Sequence, residues 1–176
     1  MQIAETERLI VRTLTPGDAA FMCRLLNEPA WIENIGDRGV RTPAEAEGYI
    51  REKLVPSYAT HGYGMYALET RADRGTIGIC GLVRRDALPG PDLGFALLSE
   101  WWGRGFAFEG ASAVLAHARE TLRLPPLLAI TTPGNTRSGK LLEKLGFEFQ
   151  RLIRLTPEAD ATKLYAERRR DADGSR

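Results

Sequence analysis

Apolar and polar positions along the chain change period several times, and each change marks an element. Arg8-Leu9-Ile10-Val11-Arg12-Thr13-Leu14 is rich in β-branched residues with partial alternation, which predicts a first strand. At Thr15-Pro16-Gly17-Asp18 the pattern turns helical. Thr15 can cap, Pro16 suits the first helical position, Asp18 lies in the first turn, and Met22, Leu25 and Leu26 face inward. The device recurs at Thr42-Pro43-Ala44-Glu45, a capping box followed by Ala46, Tyr49, Ile50 and Leu54 at helical spacing. Gly36 to Arg41 reads as the loop between the two helices. Tyr63 to Glu69, Thr76 to Val83 and Asp92 to Leu98 read as strands, linked by Arg71-Ala72-Asp73-Arg74-Gly75 and by Ala87-Leu88-Pro89-Gly90-Pro91. Three strands with short links predict an antiparallel meander.

Ala107, Ala111, Val114, Leu115, Ala118 and Leu122 then line one face of a long helix that Pro125-Pro126 ends. Leu127 to Thr132 is a short apolar strand. The helix before it predicts that it runs parallel to the strand ending at Leu98. Ser138 to Leu145 predicts a short helix, with Gly146 at the left-handed position after it and Phe147 making the accompanying apolar contact. Glu148 to Leu155 and Thr162 to Glu167 predict a final hairpin. This is an α+β pattern, with one domain over residues 1–167 and a charged, disordered tail over residues 168–176.

Composition narrows the function classes. The 176 residues are 43% hydrophobic and 27% charged, with 24 basic and 23 acidic residues and a formal net charge of +1. That balance argues against a nucleic-acid binder that relies on a basic surface. Cys23 and Cys80 lie far apart, and His61 and His117 lack ligand spacing, so no metal site is expected. No run approaches the ~18 apolar residues of a membrane span. The first residues, Met1-Gln2-Ile3-Ala4-Glu5, have neither a basic region nor an apolar one of the signal-peptide kind, so a cytoplasmic location is expected.

The stretch richest in chemistry is Trp101-Trp102-Gly103-Arg104-Gly105-Phe106-Ala107, between the strand ending at Leu98 and the long helix. A glycine turn at a helix start presents bare N–H groups to an anion, and the helix dipole adds partial positive charge there. It is not a Walker loop, which needs Gly-Lys-Ser/Thr after a longer spacing.

The element order, Trp102-Gly103-Arg104-Gly105-Phe106-Ala107, and Asn135-Thr136-Arg137-Ser138 with Leu145-Gly146-Phe147 together resemble the GNAT acetyltransferases, over roughly Thr6 to Glu167. The form of the turn is similar to the RimJ/RimL-like branch: Trp102 stands where the wider family has Gln or Arg. The resemblance implies a mixed, mostly antiparallel sheet of six to seven strands, splayed between the fourth and fifth by a bulge and flanked by about four helices. It implies acetyl-CoA as acyl donor and no metal. Gly103, Arg104, Gly105, Phe106 and Ala107 would bind the pyrophosphate through backbone N–H groups. Leu97 and Leu98 would offer backbone groups to the pantetheine arm, with an N–H near Leu97 polarising the acetyl carbonyl. Asn135 would contact the same arm, cap the following helix, or do both. Arg137 and Lys140 are candidates for the phosphates, or are merely solvated. Many members carry a Tyr in the following helix to protonate the departing thiolate. Gly139-Lys140-Leu141-Leu142-Glu143-Lys144 has none, so Ser138 or water takes that role.

Transfer to an amine needs a base, because a protonated amine is no nucleophile. Asp92, at the start of the strand lining the slot, is the first candidate, directly or through water; Glu100 and Glu33 are alternatives. Trp31, Ile32, Tyr63 and Tyr66 either line the acceptor end or belong to the core. The expected acceptor is an amine-bearing small molecule or a protein N-terminus, and a homodimer is compatible with the family. Two readings compete: a CoA-binding regulatory or degenerate member without transfer activity, and a nucleotide-binding module using the same turn.

Overall fold

Eight strands form one sheet in the order β1-β2-β3-β4-β5-β6-β8-β7 in the computed structural model, which describes residues 1–168. β1 is Gln2–Glu5, β2 Leu9–Thr13, β3 Met65–Thr70, β4 Thr76–Val83, β5 Asp92–Leu97, β6 Leu128–Thr131, β7 Phe147–Ile153 and β8 Thr162–Glu167. Only β5 and β6 run parallel; the other neighbours are antiparallel. The strand count exceeds the six to seven expected because β1 pairs on the outer edge of β2. Its four residues, Gln-Ile-Ala-Glu, carry no alternation long enough to announce a strand.

The helices are α1 (Ala19–Leu26), α2 (Pro29–Asn34), α3 (Pro43–Tyr49), α4 (Pro56–His61), α5 (Phe106–Glu120) and α6 (Thr136–Lys144). This is six rather than about four. α2 is six residues long, and α4 follows α3 through a π-turn at Ile50–Leu54, so neither shows a separate periodicity. The segment at Thr15 begins as a 3-10 turn over Pro16–Asp18 before α1 starts at Ala19. The tail expectation falls on residues 169–176, outside the described residues. Arg168 itself donates to Gly146 O and pairs with Glu148. Among the described residues, no helix is long and apolar enough to cross a membrane.

Two cores sandwich the sheet. Leu9, Val11, Tyr66, Leu68, Cys80, Leu82 and Leu93 pack against Val114, Leu115 and Ala118 of α5 and Leu142 of α6. Leu14, Ala67 and Ile79 face Met22, Leu25 and Leu26 of α1 and Ala46 of α3. The meander β3-β4-β5 forms the wall that holds these layers in register.

One buried ion network ties β2 to the start of α1. Arg12 donates from Nη2 to Asp18 Oδ1 (2.7 Å), from Nη1 to Asp18 Oδ2 (2.9 Å) and from Nε to Glu69 Oε2 (2.6 Å). Thr76 Oγ1 accepts from Nη2 as well, and Arg74 pairs with the other Glu69 oxygen. Asp18 and Glu69 are 6% and 5% exposed, so neither charge has water to fall back on. Burial pushes the Asp18 carboxyl up, but the Arg12 guanidinium and the Thr15 N–H outweigh it, and the group titrates below its ordinary value.

Arg12→Ala leaves the buried Asp18 carboxylate without its counter-charge and Glu69 with Arg74 alone, and is expected to lower unfolding free energy by about 3–5 kcal/mol, read from the urea midpoint. Because the folded-state pKa of Asp18 lies below the unfolded one, its contribution is complete above about pH 4 and disappears as pH falls through the lowered value. Acid titration of Asp18→Asn beside the parent chain should show a smaller loss of stability in that window.

Candidate functional site

The site grows from an interruption in the sheet. β5 and β6 pair only at Asp92↔Leu128 and Leu93↔Ala129, then diverge. The closed end is held by Leu128 N–H donating to Pro91 O (3.1 Å), Glu167 N–H to Leu127 O (2.8 Å) and Leu127 N–H to Glu167 Oε2 (3.0 Å). Arg119 of α5 grips the same Glu167 carboxylate. The expected bulge is not the cause of the splay. β5 stays in unbroken register with β4 from Val83↔Asp92 to Gly78↔Leu97.

That register decides which backbone groups face the gap. Leu98 N–H donates to Ile77 O at 2.9 Å, so Leu98 points its amide at β4. By antiparallel alternation Phe95 and Leu97 point theirs the other way, past the last β6 pair. Leu98 is thus not free to offer an N–H in the gap, and Phe95 joins Leu97 instead. Counting alternate residues back from Leu97 was the available signal for Phe95. The Leu97 carbonyl already accepts from the Trp102 indole Nε1 (2.9 Å), and Arg137 lies over that indole at 4.2 Å.

At the open end, a 3-10 turn at Ser99–Trp101 leads into Trp102-Gly103-Arg104-Gly105 and then α5. Gly103 and Gly105 sit at φ +72° and +81°, left-handed conformations that cost an ordinary residue about 1–2 kcal/mol. Gly105 occupies the N-cap position and has no side chain to cap with. The first-turn amides of Phe106, Ala107 and Phe108 therefore have no acceptor inside the helix. Among the described residues, no backbone hydrogen bond starts from an N–H of residues 103 to 108. The turn is braced from behind by Arg8, which donates to Arg104 O (2.9 Å) and pairs with Glu109.

On the β6 side, Asn135 caps α6 by accepting from Ser138 N–H at 3.1 Å, and Ser138 itself is half-buried. Thr131, 8% exposed on β6 where the gap begins, has a buried hydroxyl with no hydrogen-bond partner among the described residues. Arg137 and Lys140 are exposed on the first turns of α6. Thr132 donates to Asn34 Oδ1 (3.0 Å), which ties α2 to the same end of β6.

The carboxylates scatter. Asp92 is 1% exposed, at the closed end, and accepts from Arg85 Nε at 3.0 Å. Burial raises its pKa, and the Arg85 charge only partly offsets this. Glu100 pairs with Arg24 on the surface, and Glu33 is exposed on α2. Of the aromatic candidates, Trp31, Tyr63 and Tyr66 are core residues, and Ile32 is 40% exposed on α2. Among the described residues, no cluster of His, Cys, Asp or Glu could hold a metal ion. An open groove of about 700 Å³ runs along the outer face of α5; of the turn and gap it touches only Gly105.

Comparison with known proteins bears on this geometry. The model of the acetyltransferase (GNAT) domain matches residues 8–148. An uncharacterised N-acetyltransferase of Bacillus subtilis, YoaA, is 27% identical over 154 residues, 86% of each chain. The ribosomal protein uS5-alanine N-acetyltransferase of Escherichia coli is 38% identical over 56 residues, 32% of this chain and 29% of its own. In fold, the chain is similar to RimL, a ribosomal L7/L12 α-N-protein acetyltransferase solved with coenzyme A. The TM-score is 0.80 at 14% identity, over 95% of this chain and 97% of that one.

Gly103→Ala and Gly105→Ala each force a side chain into left-handed backbone and should cost roughly 1–2 kcal/mol in thermal unfolding. The larger loss is expected at 105, where a Cβ would lie 3.3 Å from Arg8 Nη2. An unchanged melting temperature in both would show that the turn relaxes freely.

Proposed function

The chain belongs to the GNAT acetyltransferase family, and we propose that it transfers the acetyl group of acetyl-CoA directly to a primary amine of a protein N-terminus or a small molecule. The observation that carries this is the coincidence of two arrays of outward-facing backbone N–H groups at one end of the split. One is the uncapped start of α5; the other is the β6-facing edge of Phe95 and Leu97. Such groups fit a ligand that is anionic at one end and an amide chain further in. The orphaned Thr131 hydroxyl fits the same picture.

When bound, acetyl-CoA supplies an activated acyl carbon. The chain's own groups do the rest. The N–H groups from Gly103 to Ala107 bind the pyrophosphate, with the α5 dipole favouring the negative charge. Phe95 and Leu97 offer N–H groups to the arm and to the acetyl oxygen, where negative charge develops. The Asn135 oxygen is spent on its cap, which leaves its amide nitrogen to donate. Ser138 donates a hydrogen bond to the departing sulfur, which takes its proton from water.

Asp92 accepts the proton that the acceptor's ammonium loses before its nitrogen attacks. Three steps of extended strand separate it from Phe95, about 10 Å, so the proton crosses through water. A carboxyl raised by burial suits a base working near neutral pH. The protein N-terminal acceptor draws support from the uS5-alanine relative, and the small-molecule acceptor remains its alternative within the same chemistry.

Calorimetric titration with CoA, followed by an acceptor screen that reads released thiol, tests the proposal. Saturable CoA binding with turnover on at least one amine is expected. Binding without turnover on any amine would leave a CoA-binding member without transferase activity. Asp92→Asn should lower kcat about 100-fold. It should also remove an acidic limb that lies above the ordinary Asp value of about 3.9, since activity is lost as pH falls through the raised pKa. Ser138→Ala should lower kcat roughly 10-fold, the worth of one hydrogen bond to developing charge.

A further inference from the structure

Arg8, just before β2, reaches both the anion-binding turn and the first turns of α5. Its Nη1 donates to the carbonyl of Arg104 at 2.9 Å. Its Nε and Nη2 hold Glu109 Oε2 at 2.7 and 2.6 Å, and its backbone N–H donates to Glu109 Oε1 at 2.9 Å. Its guanidinium carbon lies 4.2 Å from the centroid of the Phe106 ring. Thr6 completes the clamp by donating to Glu109 Oε1 at 2.6 Å.

We propose that Arg8 is a positioning residue for the cofactor: it pins the Arg104 carbonyl backward so that the amides of residues 103 to 107 point outward, and it cancels the Glu109 charge that would repel a pyrophosphate. This rests on the acetyl-CoA reading above. A peptide unit held by its carbonyl fixes the direction of the N–H on its other side, because the unit is planar. Pinning Arg104 C=O therefore aims the Gly105 N–H in the opposite direction. Glu109 lies in the first turns of α5, close to where the ligand's negative charge would sit. Its carboxylate is held below its ordinary pKa despite burial, by the Thr6 hydroxyl and by Arg8, so it stays charged. Lysine cannot replace Arg8. Three directions are engaged at once, toward a carbonyl, a carboxylate and a ring face, and only a planar fork spans them.

The role predicts a loss confined to the pyrophosphate end. Arg8→Gln and Arg8→Lys should weaken CoA binding about tenfold or more by calorimetry, the effect of one misdirected charge-assisted hydrogen bond. Hydrogen exchange at the start of α5, from the Glu109 amide that donates to Gly105 O onward, should quicken in the free variants while β3 and β4 stay protected. Turnover should separate two donors: kcat/KM with acetyl-CoA falls, whereas kcat/KM with S-acetylpantetheine, which lacks the pyrophosphate, stays within twofold. An equal fall for both donors, or global loss of exchange protection, would make Arg8 a stability residue and overturn the proposal. So would undiminished CoA binding in Arg8→Gln beside a parent chain that binds. A parent chain that binds no CoA would instead overturn the acetyltransferase reading and take this one with it.

Discussion

Parallel strands stay together only while each carbonyl and N–H of one finds its match on the other, and β5 and β6 stop doing so after two residue pairs. Much of the molecule is organised around that interruption. A gap in a sheet exposes backbone groups that cost free energy if they are buried without partners. The closed end is therefore reinforced by Pro91, Leu127, Glu167 and Arg119, which stop the split from running further. The open end is where α5 and α6 begin, so two helix starts and one bare strand edge converge. Asn135 satisfies the start of α6 internally, whereas Gly105 leaves that of α5 open. The polarity of the site follows from this asymmetry of capping.

Two arginines, Arg8 just before β2 and Arg12 near its end, serve opposite ends of that strand. Arg12 faces the α1 side and is saturated by Asp18, Glu69 and Thr76, a network that holds the first helix on the sheet. Arg8 faces α5 and is shared between a carbonyl of the turn and Glu109. Both use the planar fork to fix directions rather than merely to neutralise charge. The difference lies in what they fix: one sets a core contact between elements, the other sets the orientation of a loop whose amides face outward. The indole of Trp102 adds a third directional contact, from the turn back to the carbonyl of Leu97, with Arg137 stacked on its outer face.

Much of the fold was legible because its elements carry strong local punctuation. The Thr42-Pro43-Ala44-Glu45 box is present as read, with Glu45 N–H donating to Thr42 Oγ1 and Thr42 N–H donating to Glu45 Oε2. Gly146 adopts φ +93° directly after α6. The meander and the parallel partner of β5 follow from short links and a long helical crossover. What escaped notice was short or continuous with something else: β1 with four residues, α2 with six, and α4 running on from α3. Leu98 was matched to the gap by its place beside Leu97, yet side chains and amides alternate along a strand. The Leu98–Ile77 and Leu128–Pro91 hydrogen bonds reveal which of the two faces inward.

By itself, then, the sequence determined the order and kind of the main elements and the anion-receptive turn at Gly103 to Ala107. These depend on residues a few positions apart: caps, left-handed glycines and apolar spacing. Tertiary structure alone decided where β5 parts from β6, that Phe95 faces the gap, that Asp92 is enclosed beside Arg85, and that Arg8 reaches Arg104 and Glu109 across about a hundred positions of chain. Those facts depend on strand register and on pairs of distant side chains meeting. Register is set by the summed packing of two cores, and no local pattern encodes that sum.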